Sequence, residues 1–209
     1  MTAVEPLVLV VDDDPSVRKG LTRLLALADY AVETYASARE FLAREPYPGP
    51  CCLVLDVRMP GLTGIQLQEI LAATGRRMSI VFVSGHADVQ TSVKAMKAGA
   101  VEFLMKPFSD DVLLNAIRQA IERSQTALGH EADIRSLRDC YASLSRRERE
   151  VMTLVVTGLL NKQVGFELGI SEITVKAHRG KVMRKMKADS LPALVHMVAR
   201  LGLLTAAAA

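Results

Sequence analysis

Five residues scattered along the chain carry side chains that could act together: Asp12, Asp13, Asp56, Ser84 and Lys106. Three carboxylates brought close together repel one another and raise each other's pKa unless a cation stands among them. A hard divalent ion with oxygen ligands relieves that repulsion. Mg²⁺ (or Mn²⁺) suits the role, because such an ion keeps several waters and takes few carboxylates. The set contains no His or Cys, which argues against zinc. The chain has no phosphate-cradling glycine loop of the Walker kind, which argues against nucleotide binding by that route. A carboxylate beside a divalent ion, a hydroxyl and an ammonium is equipped to accept a phosphoryl group, since the cations neutralise charge on the transferring oxygens. Any one of these residues alone would read as a helix cap or a turn, and only the set points to chemistry.

The set has meaning only if the intervening elements bring it together. Each member follows a short apolar run. Leu7–Val11 reads as a strand covered on both faces and ends at Asp12-Asp13-Asp14-Pro15. Asp14 fits a helix N-cap and Pro15 its first turn. Tyr30–Tyr35 is a weaker strand, Cys52–Leu55 a third ending at Asp56, Ile80–Val83 a fourth ending at Ser84, and Val101–Leu104 a fifth ending at Lys106-Pro107. Helical spacing fills the gaps, and in the last helix Val112, Leu113, Ala116, Ile117, Ala120 and Ile121 are expected to face inward. Strands alternating with helices imply a doubly wound parallel sheet. In such sheets the ligand crevice lies beyond the carboxyl ends of the strands, where all five residues fall.

The rest of the chain differs in charge. The 209 residues carry a net charge of +3, but residues 1–125 hold 13 Lys and Arg against 15 Asp and Glu, a balance of −2. Residues 126–209 hold 13 against 8, a balance of +5. A basic back half suits a polyanionic partner. No run approaches the ~18 apolar residues of a membrane span, so no membrane role is expected. Half the residues are apolar, which excludes disorder for most of the chain. No basic region precedes the first apolar run, so no secretory leader is expected. Cys51, Cys52 and Cys140 form no disulfide framework, and a reduced, cytoplasmic protein fits best.

Residues 125–141 read as a helical linker with a break near Gly129. Four helices follow. Ser145-Arg146-Arg147-Glu148 is a capping box. Asn161 is expected to cap the second helix, Gly169 to close it, and Ser171 to cap a third that carries Ile173, Val175, Val182 and Met186. The fourth follows Ser190 and Pro192. Two short helices joined by Gly169-Ile170-Ser171 make a helix-turn-helix pattern. With Val175, Val182 and Met186 turned inward, the opposite face of the third helix holds Lys176, Ala177, Gly180, Lys181 and Arg184. Small residues beside basic ones let a backbone approach a groove while the cations hold phosphates.

On VVDDD, LDVRMPGLTG, Val83-Ser84-Gly85-His86 and KAGAVEFLMKPF, residues ~6–124 resemble the receiver domain of two-component response regulators, with its flavodoxin-like five-stranded fold. The resemblance implies Asp56 as phospho-acceptor. It implies Asp13, Asp56 and the backbone carbonyl of Arg58 as Mg²⁺ ligands, with Asp12 acting through water. It implies Ser84 as the switching hydroxyl, Phe103 at the aromatic switch position, and Lys106 on the phosphoryl oxygens with a cis bond to Pro107. The segment LSRREREVMTLVVTGLLNKQVGFELGISEITVKAHRGKVMRKMKADSLPALV resembles the LuxR/NarL-type DNA-binding domain, an all-α four-helix fold. Here the resemblance implies Glu172–Lys187 as recognition helix, with Lys176, Ala177 and Gly180 facing bases and Lys162, His178 and Arg179 near the DNA backbone. Thr174, Lys181 and Arg184 complete the expected DNA set. The family usually has Ala where this chain has Gly165, which is expected to loosen the second helix slightly.

Together the two halves look most like the FixJ-type subfamily. The expected layout is a receiver over 1–124, a linker over 125–141 and a DNA-binding domain over 142–209. The expected partners are a sensor histidine kinase, double-stranded operator DNA, RNA polymerase and, after phosphorylation, a second copy of the chain. Self-phosphorylation and slow autodephosphorylation are the only catalysis expected. An aspartate-nucleophile phosphatase is disfavoured, because Asp56 is followed by Val57-Arg58 and lacks a second acid two residues on.

Overall fold

β1 (Leu7–Val11) and β3 (Cys51–Asp56) are buried along their whole length, as is β4 (Ser79–Ser84). With β2 (Ala31–Tyr35) and β5 (Glu102–Met105) they form one parallel sheet in the order β2-β1-β3-β4-β5. The computed structural model describes residues 4–85 and 89–204. Successive strand residues point to opposite faces, and the two faces have separate cores. Leu7, Leu9, Val11, Leu53, Leu55 and Phe82 pack with Phe41 of α2 (Ala38–Leu42), Leu67 and Leu71 of α3 (Gly64–Ala73) and Ala95 of α4 (Val89–Lys97). Val8, Val10, Cys52, Val54, Val81 and Val83 pack with Leu21 and Leu25 of α1 (Pro15–Leu27) and with Leu113, Ala116, Ile117, Ala120 and Ile121 of α5 (Asp110–Ala142). Helices covering both faces explain why these strands read as continuous apolar runs.

The helix starts follow side-chain chemistry. Asp14 accepts from the Ser16 N–H and Ser37 from the Glu40 N–H, each freeing a helix of one orphan donor. Two expectations are corrected here. Val112 is 46% exposed instead of inward. Gly129 does not break the chain, since α5 is a continuous helix through Ala142. One helical glycine costs about 1 kcal/mol relative to alanine. Ala127, Leu128, Glu131 and Ala132 around it are all good helix formers. His86, at the end of the Val83-Ser84-Gly85-His86 segment, lies outside the described residues.

The chain divides after Leu128 into two compact units. The second contains α6 (Arg146–Val156), α7 (Asn161–Leu168), α8 (Glu172–Met186) and α9 (Leu191–Arg200). Val151, Val155, Val164 and Val175 form one cluster. Leu144, Met152, Val182, Met186, Leu194 and Val198 form another. Ser145 and Glu148 make the anticipated capping box. Asn161 is not the cap of α7. Leu160 holds that position, and its backbone N–H donates to Gln163 Oε1 at 2.8 Å, while Asn161 Oδ1 accepts from Arg179 at 3.2 Å. The side-chain oxygen that would have capped is spent on a contact 18 residues away. On α8, Ile173 is 83% exposed. Gly165 is a point of close approach, since a Cβ there would lie 2.7 Å from the Ile170 carbonyl. Glycine therefore lets α7 and the turn meet rather than loosening them.

Glu148 is also the buried carboxylate of this unit. It accepts from Lys185 Nζ at 2.7 Å and from the Ser145 N–H at 2.8 Å. The Lys185 bond first, then the backbone bond, hold its carboxyl down at about 2. A carboxyl depressed on folding adds stability above its unfolded pKa and loses it as pH falls through its folded one. This contribution should therefore fade between about pH 4.5 and pH 2. Glu148→Gln should cost about 1–3 kcal/mol at neutral pH, and the gap between variant and parent should close on acidification. Thermal melts across a pH series measure it, and a gap independent of pH would contradict the assignment.

Candidate functional site

The sheet order reverses between β1 and β3, and that switch point opens a crevice at the strand carboxyl ends. Val11 pairs with Leu55, so the next residue of each strand, Asp12 and Asp56, emerges there side by side. Both are buried, at 2% and 7% exposure. Lys106, just after β5, bridges them, with Nζ 2.9 Å from Asp12 Oδ2 and 3.2 Å from Asp56 Oδ1. The Lys106 N–H donates to the Ser84 carbonyl at 2.8 Å, which ties the loop after β5 to the end of β4. The Lys106–Pro107 bond is cis.

Each carboxylate is also held by main chain. Asp12 Oδ1 accepts from the Asp14 N–H at 2.9 Å, and Asp56 Oδ2 accepts from the Arg58 N–H at 2.7 Å. Burial pushes the Asp56 carboxyl up, Lys106 pulls it down, and Asp12 pushes it up again, with a net rise. Burial pulls the Lys106 ammonium down, but the two carboxylates more than offset it, so it stays firmly charged. Ser84 is buried at the end of β4. Phe103 on β5 is half-buried and stacks on Phe82 with ring centroids 5.9 Å apart.

The structure thus gathers Asp12, Asp56 and Lys106, sets Ser84 on the neighbouring strand end, and leaves Asp13 exposed. Among the described residues no three His, Cys, Asp or Glu side chains are drawn together tightly enough to ligate one ion. The donor set nevertheless suits a hard divalent cation. Apart from the Lys106 ammonium, the crevice groups offer oxygen, and Asp13 follows Asp12 in the chain. One positioning residue escaped the sequence reading. A Cβ on Gly64 would collide with the Asp56 carbonyl, so α3 begins close against the acceptor only because residue 64 is glycine. The glycine at the end of LDVRMPGLTG was the available signal.

In the second unit, α7 ends at Gly169, whose φ of 65° is a left-handed cap suited to glycine, and Ser171 starts α8 by accepting from the Thr174 N–H. Val175, Val182 and Met186 are buried. Lys162, Thr174, Lys176, Ala177, Gly180, Lys181 and Arg184 are exposed, while His178 and Arg179 are half-buried. The Thr174 hydroxyl is paired with that of Ser171 at 2.8 Å. Lys185, by contrast, is committed to Glu148 and the Ser143 carbonyl.

Comparison with known proteins agrees with both halves. Residues 8–118 match the response regulator receiver domain, and residues 142–198 match the bacterial regulatory proteins of the luxR family. The chain is a DNA-binding response regulator of the two-component type. It is similar to nodulation protein W of Bradyrhizobium diazoefficiens, with 45% identity over 96% of this chain and 88% of that protein. It is also similar to the transcriptional regulatory protein FixJ of Rhizobium meliloti, with 43% identity over 90% of this chain and 92% of that one. Among solved structures, the response regulator StyR matches with a TM-score of 0.84 and 46% identity, covering 94% of this chain and all of StyR. The regulator's family explains why an acidic crevice and a basic helix-turn-helix share one polypeptide. No helix among its described residues is long and apolar enough to cross a membrane.

Proposed function

We propose that a sensor histidine kinase donates its phosphoryl group to Asp56 and that the phosphorylated regulator pairs on operator DNA. The bridge of Lys106 across buried Asp12 and Asp56 carries this reading. A buried carboxylate with an ammonium at 3.2 Å is a nucleophile with its charge stabiliser already placed. Asp13, Asp56 and the Arg58 carbonyl would hold Mg²⁺, with Asp12 acting through water. When bound, the ion supplies charge neutralisation on the transferring oxygens. Lys106 moves its hydrogen bond from carboxylate to phosphoryl oxygen, Ser84 donates its hydroxyl to another, and Phe103 follows Ser84 inward.

The face that responds includes Met96, Met105 and Val112, which are 41%, 48% and 46% exposed on α4, β5 and α5, with half-buried Val101 beside them. Covering these apolar groups favours a homodimer. Two helix-turn-helix units then meet paired half-sites, and RNA polymerase is the partner that reads the result. The regulator performs only its own phosphorylation and slow dephosphorylation, so it is a switch rather than a turnover enzyme. Its place is the cytoplasm, where kinase and DNA meet.

The DNA arm of the proposal is tested by salt. If α8 and its flanks neutralise about five phosphates, log affinity of the full chain for duplex DNA should fall against log salt with a slope of about −4 to −5. Lys176→Ala should weaken binding about tenfold. A slope near zero would mean that the basic face is merely solvated.

A further inference from the structure

Ile173 is 83% exposed at the second position of α8, and no role in packing accounts for it. Single exposed apolar residues are common, so its position on the helix decides the matter. Residues of a helix advance by roughly 100° each. Counted from Ile173, residues 176, 177, 180 and 184 fall on the same stripe, and Val182, buried in the core, lies roughly opposite. The stripe therefore runs Ile173, Lys176, Ala177, Gly180, Arg184, all exposed. Nothing in the chain requires glycine at 180, since a Cβ there would meet no atom within 4 Å. The absent side chain is thus available for close approach to a groove. β-Branched isoleucine is also a poorer helix former than the alanine or lysine that an idle surface position would favour.

Recognition helices read base edges mainly with their N-terminal residues. The apolar feature of the major groove is the thymine 5-methyl, which is contacted by aliphatic side chains, whereas guanine O6 and N7 are met by lysine. We propose that Ile173, one turn before Ala177 on the exposed stripe of α8, is a specificity residue that packs against a thymine methyl next to the base read by Lys176. The inference rests on α8 being the DNA-facing helix and adds the base class that its first turn selects.

The test begins with duplexes selected from a random-sequence pool by the full chain treated with a small acyl phosphate and Mg²⁺. Each selected thymine is then replaced singly by deoxyuridine, which removes only the methyl. At one position the parent should lose about three- to fivefold in affinity, the worth of one buried methyl. Ile173→Ser should lose a similar factor on the thymine duplex and nothing more on the uridine duplex, and Ile173→Val should restore the preference. If Lys176→Ala weakens binding while Ile173→Ser matches the parent on both duplexes, or is weakened but still distinguishes them, this inference falls alone. If Lys176→Ala and Ile173→Ser both bind as the parent does, α8 is not the DNA-facing helix and the reading beneath it falls as well.

Discussion

Asp56→Asn should reduce labelling by a small acyl phosphate to background while leaving the fold intact. The amide keeps the shape of the carboxylate and can still accept the Arg58 N–H bond, but it has no anionic oxygen to attack phosphorus. Stability should not suffer. The folded environment raises the Asp56 carboxyl, with burial as the largest cause. A group whose pKa rises on folding adds stability below its unfolded pKa and loses it as pH climbs through the folded one. At neutral pH the Asp56 charge is therefore a burden, and without divalent metal the variant should melt at or above the parent's temperature. Excess chelator should stop labelling of the parent with no mutation at all. Stoichiometric labelling of Asp56→Asn, or full-rate labelling in chelator, would overturn the acceptor and the metal respectively.

The second large effect is the coupling between phosphate and DNA. Moving a two-state equilibrium from about 1% to about 99% active takes roughly 5.5 kcal/mol of differential interaction. One phosphoryl group held by Lys106 and Ser84 in a half-desolvated crevice supplies energy of that order through charge-assisted hydrogen bonds. Phosphorylation should therefore double the mass seen by light scattering and tighten binding to a two-half-site duplex about a hundredfold. Ser84→Ala should still take up phosphate, because the nucleophile and Lys106 remain, yet should recover only a small part of that gain. If Ser84→Ala dimerises and binds as well as the parent, the hydroxyl is not the relay.

The crevice was legible in the sequence because continuous apolar runs mark strands buried on both faces and each run ends at a chemically distinctive residue. Knowing that β1 ends at Val11 and β3 at Asp56 is enough to bring the acids together once the sheet is parallel. Helix starts were legible for the same local reason, since Asp14, Ser145 and Ser171 cap with atoms only two or three residues away. What escaped depends on partners distant in sequence. Asn161 looks like a cap until Arg179 takes its oxygen. Glu148 looks like half a capping box until Lys185, 37 residues on, makes it a buried ion pair. Val112 fits apolar spacing, yet sits at the margin of its stripe, where only the finished packing decides which way it faces. Gly129 suggests a break only when its weak local penalty is taken apart from the strong helix formers around it, and with them α5 runs through.

The pairing of Val11 with Leu55 has a consequence beyond placing two carboxylates side by side. Side chains alternate between faces with a period of two, so a slip of one residue in β3 would turn Leu53 and Leu55 out of one core and Cys52 and Val54 out of the other. The same slip would carry Asp56 away from Asp12. A chain that misaligns its acceptor thus also swaps side chains of different size between its two cores and loses their packing fit. Alignment of the acids is thereby coupled to the fit of the oily interior on either side of the sheet.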